Sequence, residues 1–421
     1  MKTLKRIFQD KILRNRILFV VGILCLTRLF AAIPIPGIDK AALESAMSSN
    51  SFLGFLNIFS GGGLSTFSII MLGVGPYITS SIIMQLLTVL VPRFKEMYQE
   101  EGEIGRKKFA QYSRLITVPL AVVQGYAILT LLISQKILSP LSLPAMMFNI
   151  LVITAGSLLL MWLGEQINEY GIGNGVSLII FAGIVANLPR KIFQLFTVFD
   201  ASMIPVIIGM LIVTILVIAG IVYVTEAERP IAITYSKQAS SFYGSSGITN
   251  TYLPIRLNQA GVIPIIFAIS LLLFPQMIAQ LLKNSANLAL QNTAISINNF
   301  LSNTLYYGII YFVLVVLFTY FYTAVTFDSA KTAENLQKSG AFIPGYRPGI
   351  PTADYIGEIL SRVTFFGALF LGVIAILPIV MQAATGGTNS VTIGGTSLLI
   401  AVSVIIDFVK KVDAQLTMRE Y

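Results

Sequence analysis

Few residues in this sequence could carry out chemistry. The chain contains no histidine and a single cysteine, Cys25, which excludes a disulfide within the chain and the serine–histidine and cysteine–histidine catalytic arrangements. The charged residues inside apolar stretches are Arg28 and, near the end of the last stretch, Asp407. Proton relays and ion-coupled sites usually need such groups at membrane depth. We therefore predict a protein that is not an enzyme and that binds no metal or cofactor. We interpret Arg28 as snorkelling to the interface or pairing with an outer carboxylate.

The elements that would hold these residues are apolar helices. Hydrophobic residues make up 55% of the 421 residues and charged residues only 11%, about half the charged share of a soluble protein. A bilayer core needs about 20 consecutive apolar residues per helix. The fifth predicted span is short because it ends before Pro189, so either its boundary lies elsewhere or it lines a region that water enters. The ten predicted transmembrane spans are 17–36, 69–91, 115–133, 145–163, 175–188, 203–224, 262–282, 305–325, 359–381 and 393–409.

The lysines and arginines are distributed unevenly between alternate connections. With the N-terminus placed in the cytoplasm, the inner segments hold 22 of the 28 basic residues and the outer segments hold 5. The positive-inside rule then predicts that both termini are cytoplasmic and that the number of spans is even. The same asymmetry accounts for the net charge of +9 without any nucleic-acid binding.

Three connections between the predicted spans are long enough to have a function. The outer segment 37–68 contains an apolar piece, 52–59, that is too short to cross a bilayer and precedes three glycines. It is either an interfacial helix or a re-entrant element with a flexible glycine joint. The inner segments 225–261 and 326–358 are polar and rich in glycine, serine and proline.

A short pattern occurs at the start of both the second and the seventh predicted span. Gly73-Val-Gly-Pro-Tyr-Ile78 and Gly261-Val-Ile-Pro-Ile-Ile266 share the form Gly-Val-x-Pro-x-Ile. Five spans separate the two copies, so they cross the bilayer in opposite directions. Inverted repeats place a functional site at the interface between two halves. The pattern therefore predicts such an interface, either as a pore or as the binding site of a small-solute transporter.

Several ordered motifs resemble those of the SecY family of protein translocation channels, and together they extend across nearly the whole chain. The resemblance implies an all-α polytopic membrane protein with ten transmembrane helices in two pseudo-symmetric inverted halves around an hourglass pore. The halves would be 1–188 and 203–421, joined by an outer hinge at 189–202. The motifs are Phe59-Ser-Gly-Gly-Gly63, Gly75-Pro-Tyr-Ile78, Ser81-Ile-Ile-Met-Gln-Leu86, Glu101-Gly-Glu-Ile-Gly105, Gly171-Ile-Gly-Asn-Gly175, Ser177-Leu-Ile-Ile-Phe-Ala-Gly-Ile184, Gly261-Val-Ile-Pro264, Leu273-Phe-Pro275, Phe342-Ile-Pro-Gly-Tyr-Arg-Pro-Gly349 and Gly395-Thr-Ser-Leu-Leu-Ile400.

The resemblance also implies roles for individual residues. The expected pore ring is aliphatic and consists of Val74, Ile78, Ile180, Ile184, Ile266 and Ile400. The expected plug is segment 52–68, with Phe52, Leu53, Phe55, Leu56, Ile58, Phe59, Gly61, Gly62 and Gly63. The expected lateral gate lies between the second and seventh spans, facing the third and eighth, and includes Thr79, Ser80, Gln85 and Phe274. The expected cytoplasmic docking residues are Arg229, Lys237, Arg256 and Arg347.

The implied function is a protein-conducting channel of the bacterial cell membrane, which passes unfolded secretory polypeptides and releases membrane helices laterally into the bilayer. The implied partners are the SecE and SecG subunits, the SecA motor ATPase, the ribosome, signal sequences, nascent polypeptides and lipid. One departure concerns segment 240–247, which is rich in serine where relatives usually carry basic residues. A small-solute transporter and, with less support, an intramembrane enzyme are the alternative functions.

Overall fold

The computed structural model describes residues 10–35, 57, 60, 62–64, 66–135, 137–197, 204–235, 251–282, 288–384 and 395–420. Within these ranges the chain is mostly helical. The helices are α1 Lys11–Ala31, α2 Gly75–Leu90, α3 Pro92–Gln99, α4 Gly102–Ser134, α5 Leu143–Tyr170, α6 Gly175–Thr197, α7 Ile204–Glu226, α8 Ile263–Leu282, α9 Leu288–Ser302, α10 Thr304–Thr326, α11 Ser329–Lys338, α12 Ile350–Ala384 and α13 Gly395–Glu420. The strands are β1 Glu228–Tyr235, β2 Thr251–Arg256 and β3 Ala341–Phe342.

Each of the ten predicted spans coincides with one helix, namely α1, α2, α4 to α8, α10, α12 and α13. Among the described residues, five helices are by themselves long and apolar enough to cross a membrane. Helices α2 and α3 form a pair that is bent by 113°, and this pair provides a sixth crossing if it is counted as one span. Ten crossings therefore remain a prediction. These five stretches lie in α4, α5, α7, α10 together with α11, and α12. Their bounds are Gly102–Ser134, Leu143–Tyr170, Ile207–Glu226, Thr304–Lys338 and Ile350–Leu377.

The predicted boundary of the fifth span was wrong. Helix α6 continues through Pro189 to Thr197 and is 23 residues long, about 34 Å at 1.5 Å per residue. Proline interrupts a helix less in a membrane protein than in water, because neighbouring groups satisfy the carbonyl that it leaves unpaired. No water-filled region is needed to explain the length of this helix. The predicted hinge at 189–202 thus begins inside a helix.

A small antiparallel sheet joins two segments that we predicted to be polar connections. The strand order is β2–β1–β3, and the pairs include Ile231 with Leu253 and Thr234 with Phe342. Ile231 and Ile233 are buried, whereas their neighbours on β1 are not, so an alternation of period 2 was present in the sequence. The sheet places segments 225–261 and 326–358 at the same end of the molecule, called the sheet end below.

The repeated Gly-Val-x-Pro pattern adopts the same backbone conformation in both places. Gly73 has φ +60° and Gly261 has φ +64°, in the left-handed region that favours glycine. In each copy a helix begins two residues later, and Pro76 and Pro264 lie in its first turn, where the missing N–H costs no intrahelical bond. The internal repeat predicted from six residues is therefore a repeat of structure at the starts of α2 and α8.

Helix packing joins the helices that precede residue 198 to those that follow residue 203. Helix α8 packs against both α2 and α4, and α13 packs against α6. Buried apolar residues from α1, α2, α5 to α8, α10, α12 and α13 form one contiguous cluster. We call this the central cluster.

Candidate functional site

All six residues of the predicted pore ring lie in the central cluster. Each is 8% exposed or less, and none of them is on the lipid-facing surface. They come from four helices that are distant in sequence, which the motifs alone could not show to be neighbours. The structure thus brings together Val74, Ile78, Ile180, Ile184, Ile266 and Ile400.

The start of α2 is held in place by a buried hydrogen bond from α5. The hydroxyl of Ser157 donates to the carbonyl oxygen of Gly73 over 3.0 Å, and Ser157 is fully buried. The next residue, Val74, precedes the helix, and its carbonyl accepts the N–H of Ile78 at 3.0 Å. The two predicted ring residues on this segment are therefore fixed relative to α5.

We expect Ser157→Ala to lower the stability of the folded protein by about 1 kcal/mol, the usual net value of one intramolecular hydrogen bond. The measurement is the thermal midpoint of purified protein in detergent. Ser134→Ala is the matched control, because the Ser134 hydroxyl is exposed and donates only within its own helix, to Leu131. Equal midpoints for the two variants would contradict the anchoring role of Ser157.

The start of α6 is positioned by small residues and two asparagines. A Cβ at Gly175 would overlap the carbonyl oxygen of Gly164 on α5, so the close crossing of the two helices requires glycine at position 175. Asn168 Oδ1 accepts the N–H of Gly175 at 2.8 Å, and Asn174 Oδ1 accepts the N–H of Ser177 at 3.2 Å. These contacts set the orientation of the helix that carries Ile180 and Ile184.

Three regions of the molecule follow one another along the length of helix α6. Its first residues, including Ser177 and Leu178, line a cavity of about 290 Å³, Ile180 and Ile184 lie in the central cluster, and Asn187 contacts Gly62. From Ser177 to Asn187 the helix rises about 15 Å. The central cluster therefore separates a cavity at the sheet end from the segment around Gly62.

The predicted plug lies mainly outside the described residues. Phe52, Leu53, Phe55, Leu56, Ile58, Phe59 and Gly61 are among the positions that the structure does not describe. Gly62 and Gly63 are described and are buried. The N–H groups of Gly62 and Gly63 donate to the carbonyl oxygens of Asn57 and Ser60 at 2.8 and 3.2 Å.

The described part of this segment is held inside the protein. A Cβ at Gly62, whose φ is +87°, would clash with the Asn187 side chain, and Leu64 and Phe67 are buried against α4 and α5. The Thr66 hydroxyl donates to the carbonyl oxygen of Ala31 at 2.8 Å. The two glycines therefore take part in a packed turn, and a re-entrant role for segment 52–68 stays a prediction.

Two of the four predicted gate residues lie together between α2, α4 and α8. Thr79 and Phe274 line one small cavity of about 20 Å³, which also touches Gln124 and Ser270. Ser80 instead turns toward α4, where its buried hydroxyl donates to the carbonyl oxygen of Ser113. Gln85 donates to Ser81 on its own helix at 3.4 Å. Ser80 therefore faces α4, the third predicted span, and its role at the gate, like that of Gln85, stays a prediction.

The predicted docking residues lie at the sheet end where they are described. Arg229 is on β1, Arg256 ends β2, and Arg347 lies in the turn after β3; all three side chains are exposed. The Arg347 carbonyl accepts the hydroxyl proton of Thr352 at 2.8 Å, which fixes the backbone of that turn. Lys237 lies outside the described residues.

Sequence reasoning missed the cavity of about 290 Å³ at the sheet end. Its lining comes from the start of α6, the residues between β2 and α8, and α13, including Asn174, Arg256, Gly261 and Asp407. These segments are far apart in sequence, so no local pattern predicts the cavity. Its floor includes Leu178, Val262 and Val404, which are also members of the central cluster.

The arrangement has the chemistry of a seal. Among the described residues no group of three or more metal-ligating side chains occurs, and the six residues at its centre are aliphatic. The helix start at Gly73 adjoins this apolar cluster, and the one at Gly261 lies between the cluster and the polar-lined cavity at the sheet end. Apolar side chains at a constriction exclude water and ions by dewetting.

Fold and composition together define a helical membrane protein whose helices pack around one buried apolar cluster. The family model described as SecY matches residues 68–409. The protein translocase subunit SecY of Mycobacterium bovis is 40% identical over 431 residues, covering 97% of this chain and 96% of that protein. The chain belongs to the SecY family.

Two solved structures share the fold. One is described as the structure of a protein conducting channel, with a TM-score of 0.65 and 18% identity over 95% of this chain and 91% of that one. The other is Sec61 in the canine ribosome-channel complex from the endoplasmic reticulum, with a TM-score of 0.63, 18% identity and the same coverage.

Proposed function

We propose that this chain is the pore-forming subunit of a protein-conducting channel in a bacterial membrane. It passes unfolded secretory polypeptides across the bilayer and releases membrane helices laterally into it. The observation that carries the proposal is that six aliphatic residues, chosen from separate motifs, belong to one buried cluster below a cavity. The chain itself supplies no energy, so a bound motor ATPase or a ribosome drives transport.

The apolar cluster suits a channel for polypeptides of any sequence. An aliphatic surface forms no directional bonds, so it does not discriminate between side chains by hydrogen bonding. When no polypeptide is present, the same side chains pack together and exclude water. Opening then requires α2 and α6 to separate from α8 and α13, because these helices carry the six residues.

The proposed parts of the channel follow from the separation of α2 and α6 from α8 and α13. Residues 1–188 and 203–421 form the two halves, with residues 189–202 as their hinge. Residues 52–68 form the plug, supported by the burial of Gly62 and Gly63 beside Asn187. The contact of α8 with α2 and α4 forms the lateral gate, supported by the shared cavity at Thr79 and Phe274.

The sheet end is the proposed docking face, and it faces the cytoplasm together with both termini. The excess of basic residues in the connections on this side supports the orientation. A ribosome is the partner named for the canine Sec61 complex, and SecA, SecE and SecG are the further partners that we propose. Arg229, Arg256 and Arg347 are available there for acidic groups or RNA phosphates.

Site-specific crosslinking tests the function directly. A photoreactive amino acid is placed in turn at each of the six proposed ring positions, and a secretory chain is stalled during transport. We expect crosslinks from all six positions to the stalled chain and only background levels from Ile208 and Ile215, which are exposed on α7. A stalled chain that crosslinks to the α7 positions but not to the ring positions would disprove the pore assignment.

We expect Arg347→Glu to reduce motor-driven transport at least about tenfold, which corresponds to about 1.4 kcal/mol of lost binding or activation free energy. Insertion of the variant itself into the membrane should be unaffected. Transport into inverted vesicles is the measurement. Lys338→Glu is the control at the same face, because its exposed pair with Glu334 at 2.6 Å contributes little. Normal transport by Arg347→Glu would remove Arg347 from the docking site.

A further inference from the structure

The two copies of the Gly-Val-x-Pro pattern differ in how the rest of the protein holds them. Before α2, the carbonyl oxygen of Gly73 accepts the buried Ser157 hydroxyl of α5 at 3.0 Å. Before α8, Gly261 borders the cavity at the sheet end, and a Cβ placed on it would meet no atom within 4 Å. Among the described residues, no hydrogen bond from another element reaches the backbone of residues 258–261. The start of α2 is therefore anchored, whereas the start of α8 is not.

The helices that follow the two copies differ in the same way. Ser80 on α2 donates a buried hydrogen bond to the carbonyl oxygen of Ser113 on α4. Within the part of the chain that the structure describes, α8 forms no hydrogen bond to another helix. Its contacts are apolar, for example the edge-to-face packing of Phe267 on Phe318 of α10, with ring centroids 5.9 Å apart. Because hydrogen bonds weaken steeply with misalignment and apolar contact is not directional, α8 can shift at lower cost than α2.

The segment between β2 and α8 is fixed firmly at one end only. The N–H of Leu257 donates to the carbonyl oxygen of Ala227 at 2.9 Å, and the carbonyl oxygen of Leu257 packs against Gly367 on α12, where a Cβ would overlap it. The next two residues, Asn258 and Gln259, each bury a side-chain oxygen that has no donor among the described residues. A buried acceptor without a donor is unfavourable, so a rearrangement that gives these amides a donor would be favoured.

We propose that α8 is the moving helix of the lateral gate and pivots at residues 258–261, whereas α2 stays fixed to α4 and α5. This inference rests on the proposed function. Gly261 suits a pivot, because its φ is +64° at rest and glycine adopts φ of either sign at little cost. The cavity of about 290 Å³ beside Gly261 provides room for the segment to rearrange. Opening is therefore asymmetric: the distance between α8 and α12 changes, and the distance between α2 and α5 does not.

Distances between pairs of spin labels test which helix moves. Labelled cysteines replace Leu271 on α8 and Val373 on α12 in one variant, and Val89 on α2 and Trp162 on α5 in another. All four positions are exposed, and Cys25 is replaced by serine in both variants. With a secretory chain stalled in the channel, we expect the α8–α12 distance to shift by more than about 2 Å, the size of a helix shift at an interface, and the α2–α5 distance to stay the same. The inference is overturned if the α2–α5 distance shifts as much or more, or if neither distance shifts.

Asn258→Leu tests the role of the buried amide. Leucine has a similar shape and needs no hydrogen bond, so we expect the thermal midpoint in detergent to stay level or rise. Movement of α8 would no longer gain a hydrogen bond. A reporter with a weak signal sequence should therefore be transported about threefold more slowly, the effect of one hydrogen bond of modest strength.

Asn168→Leu is the matched control. Asn168 Oδ1 already accepts the N–H of Gly175 at 2.8 Å, so its loss should lower the midpoint. An equal fall of the midpoint in Asn258→Leu would show that its amide is paired at rest and would overturn the pivot, as would unchanged transport of the weak-signal reporter. Failure of the proposed function would instead be seen as absence of crosslinks from the ring positions in the unaltered channel.

Discussion

Replacing Ile78, Ile184 and Ile266 together by asparagine should make the resting channel conduct ions. The three side chains come from α2, α6 and α8, and all are buried in the central cluster. Amides at these positions offer hydrogen bonds to water, so the constriction would fill with water when no polypeptide is present. We expect the resting conductance to rise at least about tenfold, since a barrier lower by about 1.4 kcal/mol gives that factor.

The measurement is ion conductance across planar bilayers that contain the purified variant, together with transport of reporters whose signal sequences are defective. A weaker seal should also let such reporters open the channel. The matched control replaces Ile208, Ile212 and Ile215 on α7 by asparagine, since all three are exposed. A folded ring variant with unchanged conductance would contradict the assignment, and so would an equal increase in the α7 control.

The second large effect concerns the crossing of α5 and α6. Gly175→Ala would bring a methyl group into the carbonyl oxygen of Gly164, which is backbone and cannot move aside. We expect the change to lower stability by about 1–3 kcal/mol, the usual cost of overpacking. It should also raise resting conductance, because α6 carries two residues of the proposed ring.

Gly209→Ala is a control for which we do not expect the loss of stability caused by Gly175→Ala. Gly209 lies on α7, where a Cβ meets no atom within 4 Å, and alanine is favoured over glycine inside a helix by about 0.5–1 kcal/mol. The thermal midpoint should therefore fall for Gly175→Ala and stay level or rise for Gly209→Ala. Equal midpoints for both variants would show that the crossing of α5 and α6 is not tightly packed.

Much of the helical fold could be predicted because membrane helices are long apolar stretches. The start of α8 at Ile263 and the start of α10 at Thr304 agree with the predicted spans within a residue. The end of α6 could not be predicted, because Pro189 stops most helices in water but not this one. The sheet was missed although Ile231 and Ile233 alternate with more exposed residues. The reason is that each long connection was interpreted from its overall composition and not residue by residue.

The candidate site was predicted unevenly for a physical reason. Ile78 and Ile184 belong to motifs that resemble those of the SecY family, and the resemblance implied their place in the ring; both are buried. Ser80 is one residue from Thr79, but consecutive helix residues point about 100° apart, and only the packed structure shows that Ser80 faces α4. The contribution of Arg256 to a cavity depends on α6 and α13, which no local pattern of β2 reveals.

The sheet connects the exposed turn at Arg347 to the start of α8, the proposed gate helix. Strand β3 belongs to the same connection as Arg347, and it pairs with β1, which pairs with β2. A few residues after β2, at Ile263, α8 begins. A partner that binds the turn at Arg347 and pulls on it would therefore displace the proposed gate helix through the hydrogen-bonded strands. Three short strands would thus transmit force from a partner bound at this turn to the start of α8.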